Sequence, residues 1–187
     1  MNIATFVTIL RVLAIPVFIA IYYSSIPSSN LIAAVIFILA SLTDWLDGYL
    51  ARKLNQCSDF GAFLDPVADK LLVTATLVML AANYTSPWFV APAAIMVARE
   101  VLISALREWM SSTNQRDIVA VGYIGKLKTT AQMLAIIVLL AATPENFNWL
   151  LITGYVLIYI SVILTLWSMF SYLKSAWPVI YEDLKQK

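Results

Sequence analysis

Six runs of about twenty mostly apolar residues dominate the chain, at roughly 6–24, 31–50, 61–82, 88–107, 126–143 and 149–172. A helix of about 20 apolar residues is long enough to cross a bilayer. Lipid offers no partner to an unpaired peptide group, so such runs must be helical. They are continuous rather than alternating, which argues against a strand-built barrel. Composition agrees. Apolar types make up 61% of the 187 residues and charged types 12%, where a soluble domain has about half and about a quarter. The expectation is an all-α integral membrane protein with six transmembrane helices in a single domain over 1–187. No internal repeat is visible. The first run is not read as a cleavable signal: it lacks a basic leader, and Arg11 interrupts it.

Charge placement predicts orientation. The gaps near 24–30, 83–87 and 143–148 carry no Lys or Arg, whereas Arg52 and Lys53, then Arg107, Arg116, Lys126 and Lys128, then Lys174, Lys185 and Lys187 fall in the others. Basic residues mark the cytoplasmic side, so both termini are expected in the cytoplasm. The tail from Trp177 to Lys187 is expected at the interface or in water. A net charge of +1 gives no electrostatic case for nucleic acid.

Carboxylates gather where membrane helices seldom carry them. Asp44 and Asp47 close the second run, and Asp65 and Asp69 open the third. Each pair is spaced for one helix face. A short connection joins the two runs, so the faces can meet at the cytoplasmic surface. Four carboxylates in a low dielectric repel one another unless cations neutralise them or protons bind. The chain has no histidine and one cysteine, Cys57. A general base must therefore be a carboxylate, Lys, Tyr or that Cys. An oxygen-only ligand set favours Mg²⁺ or Mn²⁺, and two such ions bridged by carboxylates suit phosphoryl chemistry. Salt bridges to Arg52, Lys53 or Lys70 are the plainer alternative, but they do not explain the shared register. Gly48, Ala51 and Gly61 lie one turn from these acids, where small side chains admit a ligand or a helix. Arg52 can pair with a diphosphate.

The residues Asp44, Asp47, Gly48, Ala51, Arg52, Gly61, Asp65 and Asp69 stand at the spacing of the CDP-alcohol phosphatidyltransferase signature, which this chain resembles at every position. The segments NIATFVTILRVLAIP, ISALREWM (103–110) and IGKLKTTAQ (124–132) also look like those of bacterial members acting on sn-glycerol 3-phosphate. Ala4 departs from the proline expected in many relatives. The resemblance implies transfer of a phosphatidyl group from CDP-diacylglycerol to the 1-hydroxyl of sn-glycerol 3-phosphate, giving phosphatidylglycerophosphate and CMP. It implies two divalent metals on Asp44, Asp47, Asp65 and Asp69, with Asp69 as general base. Gly48, Ala51 and Gly61 would leave room for the CDP moiety and Arg52 would meet its phosphates. Relatives are homodimers, so a homodimer in a bacterial cytoplasmic membrane is expected.

The acceptor's own phosphate needs cations. Arg99, Arg107, Lys126 and Lys128 are the candidates, with head-group anchoring as the competing role. Arg99 is deep in an apolar run beside Glu100, so a buried Arg99–Glu100 contact is a serious rival to its ligand role. Helix neighbours point apart, which weakens that rival. Thr8 and Arg11 either border the nucleotide site or anchor the first helix. Trp88 and Trp149 read as interface-belt residues, and Met79, Met96 and Met133 as lipid-facing or core filler. The open alternatives are another acceptor (inositol phosphate, serine or phosphatidylglycerol), a divalent-cation carrier, or a non-catalytic scaffold. The surface position of the acids and the lack of repeats weigh against a carrier.

Overall fold

The structure, a computed structural model, describes residues 3–54, 59–113, 123–142 and 148–185. Side chains are described for 7–43, 61, 63–64, 66–113, 125, 127–142, 148–181 and 185. Among these residues there are six helices and no strand. They are α1 (Ile3–Tyr22), α2 (Ser29–Leu54), α3 (Asp59–Asn83), α4 (Pro87–Ser112), α5 (Tyr123–Ala141) and α6 (Trp149–Lys185). They overlap the six apolar runs in order. Among the described residues, three stretches are long and apolar enough to cross a membrane: Pro66–Asn83, Pro87–Ser112 and Trp149–Tyr181. Val7–Tyr22, Ser29–Thr43 and Leu127–Ala141 are shorter apolar helices. Large apolar side chains such as Leu13, Val78, Val101, Ile163 and Phe170 stand exposed, as expected of a surface meant for lipid rather than water.

Helix ends follow local chemistry. Pro87 opens α4 at its first turn, after Ser86 in extended backbone, where a missing N–H costs nothing. Asn148 Oδ1 accepts the Leu151 N–H at 2.8 Å and caps α6. Ser28 has a positive φ of 61° just before α2.

The chain divides into two compact units. The first comprises Met1–Thr85 and Ile136–Gly154. Here α1 packs on α2 and α3, around fully buried Phe18, Phe37, Leu77 and Leu80. The Phe18 and Phe37 rings lie 6.5 Å apart. Asn83 Nδ2 donates to the Tyr22 hydroxyl at 2.7 Å. The buried Tyr84 hydroxyl lies 2.9 Å from the Leu139 carbonyl and 3.1 Å from that of Ala142. These carbonyls belong to the end of α5, where helical partners run out.

The second unit comprises Ser86–Ala135 and Tyr155–Lys187. Phe89, Met96, Ile103 and Met110 of α4 are buried, as are Ile158 and Ala176 of α6. Tyr159 donates to the Trp88 carbonyl at 2.9 Å, and the Phe89 ring meets Tyr155 edge-on at 6.3 Å. The apolar run ends near residue 172, yet α6 continues to Lys185. Packing explains the extension. Met110 and Ala176 are fully buried together, and Leu106, Trp109, Tyr172, Val179 and Ile180 pack around them. As far as Lys185, the tail expected at an interface or in water is thus a helix, with Val179 and Ile180 packed on this cluster.

Candidate active site

The backbone of α2 carries Asp44 and Asp47, and that of α3 carries Asp65 and Asp69. The intervals of three and four residues therefore fall on helix, as the spacing requires. Pro66 follows Asp65 inside α3, where it withholds a hydrogen bond from the preceding turn. Asp69 is half-buried and Gly61 is buried, and each takes part in an interaction. The side chains of Asp44, Asp47, Arg52, Asp65 and Lys126, and the surroundings of Gly48 and Ala51, lie outside the described residues. No three His, Cys, Asp or Glu side chains gather among the described residues, which include only Asp69 of the four acids. The donor chemistry fits a hard cation. The two helices supply carboxylate oxygens, and the chain has no imidazole to offer a softer metal.

The basic residues have a fuller geometry. Lys128 of α5 is only 5% exposed and Arg99 of α4 only 7%. Lys128 Nζ donates to Glu100 Oε2 at 2.8 Å, and Arg99 Nη1 stands 3.4 Å from the same oxygen. Arg99 Nη2 donates to Ser168 Oγ of α6 at 2.7 Å. The guanidinium carbon lies 5.8 Å from the centre of the Tyr172 ring, within reach of a cation–π attraction. Arg99 Nε is buried and has no hydrogen-bond partner among the described residues.

Adjacent Arg99 and Glu100 do pair, which is the contact that rivalled a ligand role for Arg99, although helix neighbours point apart. Long side chains span the angle between neighbouring positions, and an apolar surrounding rewards the contact. Burial of Lys128 disfavours head-group anchoring as its role. Arg107 is exposed towards the end of α4. Thr8 and Arg11 are buried in α1, which disfavours a lipid anchor for Arg11. Trp88 and Trp149 are exposed, as interface residues should be, while Met79 and Met96 are core filler.

Sequence reasoning named no substrate-site residue on α6. There Ser161, Thr165 and Ser168 are buried and, with Tyr172, recur at four, three and four residues along one face. Ser161 Oγ and Thr165 Oγ1 have no partner among the described residues. A stripe of hydroxyls at helical spacing inside an apolar run was the signal available.

Helices throughout the described residues, large apolar side chains exposed on them and two aspartates on each of two successive helices fit a helical membrane protein. More narrowly, the chain belongs to the CDP-alcohol phosphatidyltransferase family, which matches residues 1–167. A protein of Yersinia enterocolitica named CDP-diacylglycerol–glycerol-3-phosphate 3-phosphatidyltransferase is 47% identical over 182 residues, covering 97% of this chain and 98% of the relative. The protein of that name from Escherichia coli K12 is 50% identical over 175 residues, 94% of each chain. One from Sodalis glossinidius is 47% identical over 182 residues, covering 97% and 98%.

Proposed function

We propose that this chain transfers a phosphatidyl group from CDP-diacylglycerol to sn-glycerol 3-phosphate, releasing CMP and phosphatidylglycerophosphate. The carrying observation is near-full-length identity of 47–50% to relatives named for that reaction, in a chain that holds all eight signature residues. Asp44, Asp47, Asp65 and Asp69 would hold two Mg²⁺ or Mn²⁺ ions, which when bound supply positive charge to the diphosphate. Gly48, Ala51 and Gly61 leave space for the CDP moiety, and Arg52 pairs with its phosphates.

In the transfer, the acceptor hydroxyl oxygen bonds to the phosphorus that carries diacylglycerol. The bond from that phosphorus to CMP breaks, and CMP leaves with the electron pair. Asp69 takes the hydroxyl proton. An ordinary carboxylate is a weak base, so the proton moves late, when the attacking oxygen has become acidic. Lys128, Arg99, Arg107 and Lys126 are the cations for the acceptor's phosphate. Burial of Lys128 and Arg99 in apolar helices supports this, because such charges are costly without a task. Arg99 Nε is the donor there still without a described partner.

All six helices are taken to span a bacterial cytoplasmic membrane, with both termini and the active site on the cytoplasmic side. The chain acts as a homodimer among membrane lipids. The test follows CMP release from detergent-purified protein with CDP-diacylglycerol and Mg²⁺ or Mn²⁺. Release with glycerol 3-phosphate alone is expected. Release only with inositol phosphate, serine or phosphatidylglycerol overturns the acceptor. No release with any acceptor, from folded protein that binds the metal, favours a divalent-cation carrier.

A further inference from the structure

We propose that Glu100 is a positioning residue for the acceptor phosphate, holding the Lys128 ammonium where the phosphate is bound. This rests on the reading of Lys128 as an acceptor ligand. A lysine ammonium ends a flexible stem with three donors and no fixed direction. Glu100 Oε2 takes one donor at 2.8 Å. The carboxylate is restrained in turn by Arg99 Nη1 at 3.4 Å, while Ser168 Oγ at 2.7 Å and the Tyr172 ring hold Arg99. The chain of contacts runs from α6 through α4 to α5, all within the second unit. An oriented ammonium meets the phosphate without first losing its own rotational freedom.

A purely structural clasp explains the cluster less well. Breaking even with an apolar pair is the usual fate of a buried ion pair, and here two cations converge on one carboxylate oxygen. Opposite signs of one effect separate the roles. As a simple negative charge beside an anion site, Glu100 would weaken acceptor binding, and its neutralisation would tighten it. As a positioning group, Glu100 strengthens binding, and its neutralisation loosens it.

The experiment measures kcat, both KM values and the thermal midpoint for Glu100→Gln, Glu100→Asp and Lys128→Ala in purified protein. Glu100→Gln should raise the glycerol 3-phosphate KM roughly tenfold, about one charge-assisted hydrogen bond, and change that for CDP-diacylglycerol less than about twofold. Glu100→Asp should recover part of the loss. An unchanged or lower acceptor KM in Glu100→Gln overturns the proposal. So does a parallel rise of both KM values with a fall in the thermal midpoint that Glu100→Asp does not relieve. If Lys128→Ala raises the acceptor KM and Glu100→Gln does not, the positioning role alone fails. If Lys128→Ala leaves it unchanged, the acceptor reading fails and the positioning role falls with it.

Discussion

The aspartate helices and the Glu100 cluster both gather charge on apolar helices, but by different routes. Asp44 with Asp47, and Asp65 with Asp69, are local pairs on α2 and α3. Their spacing sets the register by helix geometry alone. The Glu100 cluster is held by partners far apart in the chain. Lys128 lies 28 residues from Glu100, and Ser168 lies 69 from Arg99. A local pair is written in the order of residues, whereas a distant one depends on which helices pack together. The two regions also divide the proposed labour, between chemistry at the CDP-diacylglycerol phosphorus and recognition of the acceptor.

The comparison breaks most sharply at the acids. Asp69→Asn should lower lipid-dependent CMP release by about 10²–10⁴-fold, the usual contribution of a general base. The protein should still fold and insert, and ordinary turnover in that variant would remove Asp69 from the base role. Chelating divalent cations should stop CMP release, with recovery on adding Mg²⁺ or Mn²⁺. Persistent release in chelator would separate the acids from metal binding.

At the second region the expected effect is smaller and selective. Lys128→Ala should raise the glycerol 3-phosphate KM by about 10–100-fold, as for loss of a hydrogen bond between charged groups. The KM for CDP-diacylglycerol should move much less. Equal rises would make Lys128 structural.

Two substitutions in the first unit should change stability without changing substrate choice. Tyr84→Phe strands the Leu139 and Ala142 carbonyls at the end of α5. Its cost should be about 1–3 kcal/mol, the penalty for a buried unsatisfied group, read as a lower unfolding midpoint with both KM values unaltered. Gly154→Ala should cost least. A Cβ there would lie 2.6 Å from Leu139 Cδ2 and 2.7 Å from its Cγ, and Leu139 is fully buried. Overpacking of about 1–3 kcal/mol is partly offset by the roughly 1 kcal/mol that alanine gains over glycine in a helix. A midpoint above that of the parent would show that Leu139 can move aside.

Much of the fold was legible from residue order, for reasons particular to an apolar solvent. Continuous apolar runs leave the helix as the only way to satisfy the backbone, so six helices could be placed before any packing was known. The sixth helix shows where this reasoning stops. Hydropathy ended near residue 172, but α6 runs to Lys185 because Ala176, Val179 and Ile180 meet Met110 and its neighbours. Arg99 and Lys128 were legible as unusual cations in apolar surroundings. Glu100 was legible as a rival partner for Arg99, although helix neighbours point apart, but nothing in residue order pointed to Glu100–Lys128. Ser168 and Tyr172 escaped notice because a hydroxyl inside a membrane-type helix carries little signal until a guanidinium is found beside it.

By itself, the amino-acid order determined the helical class, the register of the aspartates and the hard-oxygen character of any metal site. Each follows from short-range geometry or from composition, and neither depends on how distant segments meet. Tertiary structure alone decided that Glu100 serves Lys128 and Arg99 together, that Ser168 anchors Arg99, and that Tyr84 completes the end of α5. Apart from the adjacent Arg99–Glu100 pair, those contacts join residues 28 to 69 positions apart, and only the packing of one helix on another brings such groups within hydrogen-bonding distance.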